Sequence, residues 1–273
     1  MLNNTTDFTK LSQCQAVVCD LDGTLYLDNV PIHGSHEFLD KVLASGRQLF
    51  YFTNNTSLSR ETWIKKLAAM DFPVHSESLL TSADCADAYL KRNGLAPNIY
   101  LVGNRDLITD FKSRGFFCME EEAALQGTPQ AVVLGFDTEL TYTKIYACYQ
   151  LIERGIPYVA THPDKLCPVT KHTFKPDVGS FIAMFETATG KRPVIVGKPT
   201  LEAVNLIGER AQLEPPDMAF IGDRLYTDIR MAVESGMTSV LVLSGETNER
   251  DVLASDYEPD ILVPSVASLI DAL

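Results

Sequence analysis

Short apolar runs alternate with amphipathic stretches along the whole 273-residue chain. Ala16 to Cys19, Gln48 to Phe52, Ile99 to Val102, Ala131 to Leu134, Tyr158 to Ala160, Pro193 to Val196, Met218 to Ile221 and Ser239 to Leu243 read as strands. Each is a short hydrophobic run bounded by polar residues, the pattern of a strand buried on both faces of a parallel sheet. Between them His36 to Ser45, Ser59 to Met70, Ser82 to Arg92, Tyr142 to Glu153, Gly179 to Thr189, Thr200 to Arg210 and Thr227 to Ser235 carry helical patterning. Strands alternating with helices predict an α/β fold, its parallel sheet covered on both sides.

Ligands of open α/β sheets collect at the carboxyl ends of strands. Four of the expected strand ends carry polar residues suited to chemistry. The first run leads into Asp20-Leu21-Asp22-Gly23-Thr24, where alternation turns both carboxylates the same way and Gly23 permits a sharp turn. The second leads into Thr53-Asn54-Asn55-Thr56-Ser57, a run of hydroxyls, amides and exposed N–H groups that suits an oxyanion. Thr56, Ser57 and Ser59 serve equally well as helix caps. Gly197-Lys198-Pro199 places a lysine where it can neutralise a phosphate oxygen or hold a carboxylate ionised, and Pro199 opens a helix. Gly222-Asp223 begins a loop whose second acid is Asp228, a pair suited to a hard cation such as Mg²⁺, although Asp228 could also cap or solvate the next helix.

The long interval between Thr56 and Lys198 lacks such strand ends and predicts an inserted domain. The expected division is a discontinuous core of residues 1–80 and 179–273 around an insertion of residues 81–178.

Composition narrows the function. With 36 acidic against 23 basic residues the formal net charge is −13, which disfavours non-specific binding to nucleic acid or anionic lipid. The polar start of the chain does not resemble a signal peptide, and no run is long enough to span a bilayer. Cys14, Cys19, Cys85, Cys118, Cys148 and Cys167 show no C-x-x-C pairing, which argues against a zinc site or disulfide framework and for a reducing cytoplasm. No G-x-G-x-x-G follows a strand, and the glycines ahead of Lys198 lack P-loop spacing.

Taken in order, Asp-x-Asp-Gly-Thr, Thr-Asn-Asn, Gly-Lys-Pro and Gly-Asp with a later Asp resemble the haloacid dehalogenase superfamily of phosphohydrolases over nearly the whole chain. The Thr53-Asn54-Asn55 and Gly197-Lys198-Pro199 forms, with an insertion between them, are similar to the branch of NagD-type and p-nitrophenyl-phosphatase-type enzymes. That resemblance implies a Rossmann-like core with a smaller α/β cap, acting on a small phosphorylated metabolite such as a sugar phosphate or nucleoside monophosphate. It implies Asp20 as nucleophile and Asp22 as general acid and base, with Thr53, Asn54, Asn55 and Lys198 on the phosphoryl group. Mg²⁺ would be held by Asp20, the Asp22 backbone carbonyl and Asp223, with Asp228 a ligand or an anchor for metal-bound water.

In this family the loop Ala160 to Pro168 would descend from the cap, which makes His162, Asp164 and Cys167 the candidates for substrate choice; Lys171 and His172 read as solvated. A phosphomutase using the same residues and a non-catalytic phosphometabolite-binding protein remain alternatives, and a homodimer stays open. A signalling receiver module is disfavoured, because it needs its acidic pair first and its acceptor aspartate two strands later.

Overall fold

Ala16–Cys19 has four consecutive buried side chains and is a central strand of a six-stranded sheet, as expected of an apolar run with no polar face to turn outward. The computed structural model describes residues 7–170 and 173–273, so Lys171 and His172 lie outside the described residues. The chain forms two compact units. The first comprises the residues up to Thr53, Ile64–Leu80 and Val204–Leu273, and the second Asn54–Trp63 and Thr81–Ala203.

In the first unit the strand order is Ile261–Val263, Thr238–Val242, Met218–Gly222, Ala16–Cys19, Gln48–Thr53, Leu79–Thr81. Ala16–Cys19 pairs in parallel with both neighbours, Cys19 lying opposite Ile221 on one side and Tyr51 on the other. The chain starts near the middle, runs outward through Gln48–Thr53, and later returns on the far side of its first strand. The topological switch point therefore lies between Ala16–Cys19 and Met218–Gly222, where open α/β sheets form a ligand crevice. Helix Ser35–Ala44 buries Phe38, Leu39 and Val42, one apolar stripe at helical spacing.

The second unit has its own parallel sheet, ordered Val194–Ile195, Tyr158–Ala160, Ala131–Leu134, Asn98–Val102, Phe117–Cys118. Its core gathers Tyr100, Val132, Leu134, Leu151 and Tyr158 with Val178 and Phe185 of the helix Val178–Thr189. The expected domain boundary at residue 178 thus falls at the start of a helix that completes this core. The expected strand Pro193 to Val196 reduces to Val194–Ile195 and pairs with Tyr158–Ala160 at the edge of this sheet, so the second unit continues to Ala203.

Two further elements differ from their sequence patterns. The expected loop Ala160 to Pro168 passes into an antiparallel hairpin of Leu166–Thr170 and Thr173–Pro176, with Cys167 opposite Lys175. Its second strand is exposed throughout and lacks the buried face by which strands are recognised. The expected helix Thr227 to Ser235 begins earlier, as a π-helical turn Leu225–Ile229 before Arg230–Ser235, a wider winding that hydrophobic spacing does not reveal. Among the described residues, no helix is long and apolar enough to cross a membrane.

Candidate active site

The first unit places three of the expected residues at adjacent strand ends. Asp20 follows Ala16–Cys19 and donates its N–H to the Ile221 carbonyl at 2.8 Å, Thr53 is the last residue of its strand, and Asp223 follows Met218–Gly222. Thr53 and Asp20 are both buried, whereas Asp22 is half-buried on a tight turn where Thr24 and Leu25 bond back to the Leu21 carbonyl. Gly23 supplies the left-handed residue of that turn, at φ +86°.

Asp20, Asp223 and Asp228 form one buried cluster, with a carboxylate oxygen of each within 4.8 Å of the others. The π-helical turn closes the loop, and the Arg224 N–H donates to Asp228 at 3.1 Å. Burial drives the Asp223 carboxyl well above the ordinary carboxylate range; Arg224 opposes the shift, the Asp20 and Asp228 charges add to it, and a hydrogen bond from the Glu246 N–H opposes it. Such a cluster is unfavourable as three bare anions, and a divalent cation reverses its electrostatics. The donor set of hard carboxylate oxygens fits Mg²⁺. Asp223 fits it further, since its Oδ1 is buried with no hydrogen-bond partner among the described residues.

A loop that the motifs did not single out shapes this cluster. Glu246 donates its N–H to Asp223 Oδ2 at 2.6 Å, the Ser244 hydroxyl donates to the Gly23 carbonyl at 2.8 Å, and Glu246 pairs with Arg224 at 3.0 Å. A side-chain carbon at Gly245 would stand 1.9 Å from Asp223 Oδ2, and one at Gly23 2.5 Å from it. Both positions must lack a side chain for the carboxylate to lie where it does. The Ser244-Gly245 pair after a predicted strand was the only sequence signal for this loop.

The second unit brings together Asn54, Asp164 and Lys198, all buried. Asn54 Nδ2 donates to Asp164 Oδ1 at 3.0 Å and to the Lys198 carbonyl at 3.1 Å, while Asn54 Oδ1 accepts the Lys198 N–H at 3.0 Å. His162 is fully buried; its Nε2 lies 3.1 Å from Asp177, and its Nδ1 lies 2.9 Å from the Thr161 hydroxyl and 3.4 Å from that of Ser82. Asn55 Oδ1 accepts from the Ser57 N–H and hydroxyl, and its Nδ2 lies 3.7 Å from Cys167 Sγ. Ser82 and Asp177 stand outside the four motifs. Each looks in the sequence like a helix-start residue, which Asp177 also is through its bond to Val178 N–H.

Residues 17–117 match the family model of haloacid dehalogenase-like hydrolases, and residues 195–269 match a model of HAD-hydrolase-like proteins. The solved 4-nitrophenylphosphatase of Thermotoga maritima is 35% identical with a TM-score of 0.89, over 96% of this chain and 98% of that one. The ribonucleotide monophosphatase NagD of Escherichia coli K12 is 28% identical, over 93% of this chain and 97% of its own. An acid sugar phosphatase of Staphylococcus aureus is 27% identical, over 91% and 94% respectively.

Proposed function

The chain belongs to the haloacid dehalogenase-like hydrolases, in the branch of NagD and the p-nitrophenylphosphatases, and is a phosphoric monoester hydrolase; from that premise we propose that it is a Mg²⁺-dependent phosphatase of small phosphorylated metabolites working through an aspartyl-phosphate. The observation that carries this reading is the buried cluster of Asp20, Asp223 and Asp228 at the switch point of the first sheet. Asp20 and Asp223, with Asp228 and the backbone of Asp22, would hold the Mg²⁺, which supplies charge compensation so that a carboxylate can meet a phosphate.

Asp20 attacks phosphorus through one carboxylate oxygen, forming the acyl phosphate as the ester P–O bond breaks. Asp22 gives its proton to the departing alkoxide. Half-exposed on its turn, it then takes a proton from water as the water oxygen attacks phosphorus, which releases inorganic phosphate and restores the Asp20 carboxylate. By the family resemblance, Thr53 and the backbone amides around Asn54 and Asn55 hold the transferring oxygens. Lys198 offsets their charge.

Relatives named for ribonucleotides and for sugar phosphates support a small organic phosphate as substrate. His162, Asp164 and Cys167 are the residues of the second unit proposed to bear on substrate choice. Six free cysteines support a reducing compartment, and we assign the protein to the cytoplasm.

Phosphate release from a panel of sugar phosphates, nucleoside monophosphates and p-nitrophenyl phosphate, with Mg²⁺ and with chelator, tests the reading. Metal-dependent turnover that disappears in Asp20→Asn is the expected result. Turnover that persists in chelator or in Asp20→Asn would overturn it.

A further inference from the structure

The segment that opens at Asn54 is held along its length by other parts of the second unit. The Ser82 hydroxyl donates to the Asn54 carbonyl at 2.7 Å, the Phe136 N–H to the Thr56 hydroxyl at 2.9 Å, and Asn104 Nδ2 to the Ser57 carbonyl at 2.8 Å. Asp106 accepts the Ser59 N–H at 2.8 Å. Phe136 and Asn104 follow Ala131–Leu134 and Asn98–Val102, the two strands that flank the switch point of the second sheet. The crevice where such a sheet would take a ligand is lined here by the chain's own residues.

At the head of this segment, the Asn54 side chain is committed at both ends. Its oxygen accepts from the N–H of Lys198 and its NH₂ donates to the carbonyl of the same residue, a reciprocal pair that imitates strand pairing and fixes the Lys198 backbone. An Asn amide could be turned over without change of shape, but the Asp164 carboxylate only accepts and lies 3.0 Å from Nδ2. Asp164 therefore dictates the orientation that matches Lys198. The relay Asp177, His162, Ser82 supports the Asn54 carbonyl from the other side. All of these groups are buried, where a hydrogen bond once made is costly to break.

We propose that Asn54 is a positioning residue for Lys198, holding that lysine's backbone through its side-chain amide, with Asp164 fixing the direction of the amide. The proposal rests on the phosphatase reading above, in which Lys198 offsets charge on the phosphoryl group. On this view Asn54 acts through Lys198, and its side chain makes no separate contact with substrate.

The test is a double-mutant cycle on p-nitrophenyl phosphate turnover in Mg²⁺, using Lys198→Ala, Asn54→Ala and the pair. Asn54→Ala alone lowers kcat on the order of 100-fold, the scale expected of a displaced catalytic group. In the Lys198→Ala background the same substitution changes kcat by less than about 2-fold, because there is nothing left to position. Losses that multiply instead would assign Asn54 an independent contact and overturn the proposal.

Asn54→Asp with and without Asp164→Asn gives a second test, run on variants whose circular dichroism matches the native chain. The single change sets a carboxylate against both Asp164 and the Lys198 carbonyl, and the added Asp164→Asn restores a donor to the first contact alone and recovers part of the loss, up to roughly tenfold in kcat. Further loss in the pair overturns the proposal, and it decides the matter should Asn54→Ala fail to fold. Native turnover in Lys198→Ala would remove the premise about Lys198 itself, and so the proposal, while leaving the Asp20 result of the preceding section intact.

Discussion

Glu246 donates its backbone N–H to the Asp223 carboxylate at 2.6 Å, so a loop beyond the strand Thr238–Val242 reaches across to orient an acid at the end of Met218–Gly222. Gly245 lies so close to that carboxylate that the loop helps to set its position, and under the proposed function it forms part of the Mg²⁺ cradle. Gly245→Ala should displace Asp223 and weaken Mg²⁺ roughly 10- to 100-fold, the range of lost outer-shell support. Mg²⁺ titration of turnover, compared with the native chain, reads the shift. An unchanged half-saturating concentration would exclude the loop from the cradle.

Asp223 lies buried beside two other acids, an arrangement with an electrostatic cost in the metal-free protein. Asp223→Asn should raise the melting temperature of the metal-free protein by about 2–4 °C for each ~1 kcal/mol of repulsion relieved. Under the proposed function Mg²⁺ should stabilise the native chain, and the same variant should lose most of that gain. Calorimetry with and without Mg²⁺ measures both effects.

Asp84 lies among Arg60, Arg114 and the Thr81 N–H in the second unit. Burial alone would raise its pKa, but Arg114 and Arg60, with hydrogen bonds from Arg114 and Thr81, outweigh burial and lower it. A lowered carboxyl pKa stabilises the fold above the unfolded value, and the gain is lost as pH falls through the folded value. Melting temperature should therefore fall steeply below about pH 4. Asp84→Asn should cost about 3 kcal/mol at neutral pH, the low end for a broken buried pair because the Arg60 and Arg114 guanidinium groups are only partly buried and Arg114 keeps Asp110, and should flatten that acid limb. Thermal melts between neutral and acid pH check both.

The Thr56 hydroxyl accepts the buried Phe136 N–H, so Thr56→Val keeps the shape but leaves that donor unmatched. A loss of about 1–3 kcal/mol is expected. Hydrogen exchange at the Phe136 amide should accelerate with it, which a general loss of packing would not confine to that site.

The sequence by itself determined the fold class, the positions of its main strands and the order of its motifs, because burial on both faces leaves a local record in each apolar run. It marked Asp20, Thr53, Asn54, Lys198, Asp223 and Asp228 as polar residues at strand ends. Tertiary structure decided what those residues meet. That Asp20, Asp223 and Asp228 form one cluster follows from strand pairing across the switch point, which involves residues some two hundred positions apart in the chain. The reach of the second unit to Ala203, the grip of Asp164 and Lys198 on Asn54, and the Glu246 bond to Asp223 left no pattern in sequence. Periodicity records whether a side chain is buried, whereas the partner it meets there is set by long-range packing that neighbouring residues do not encode.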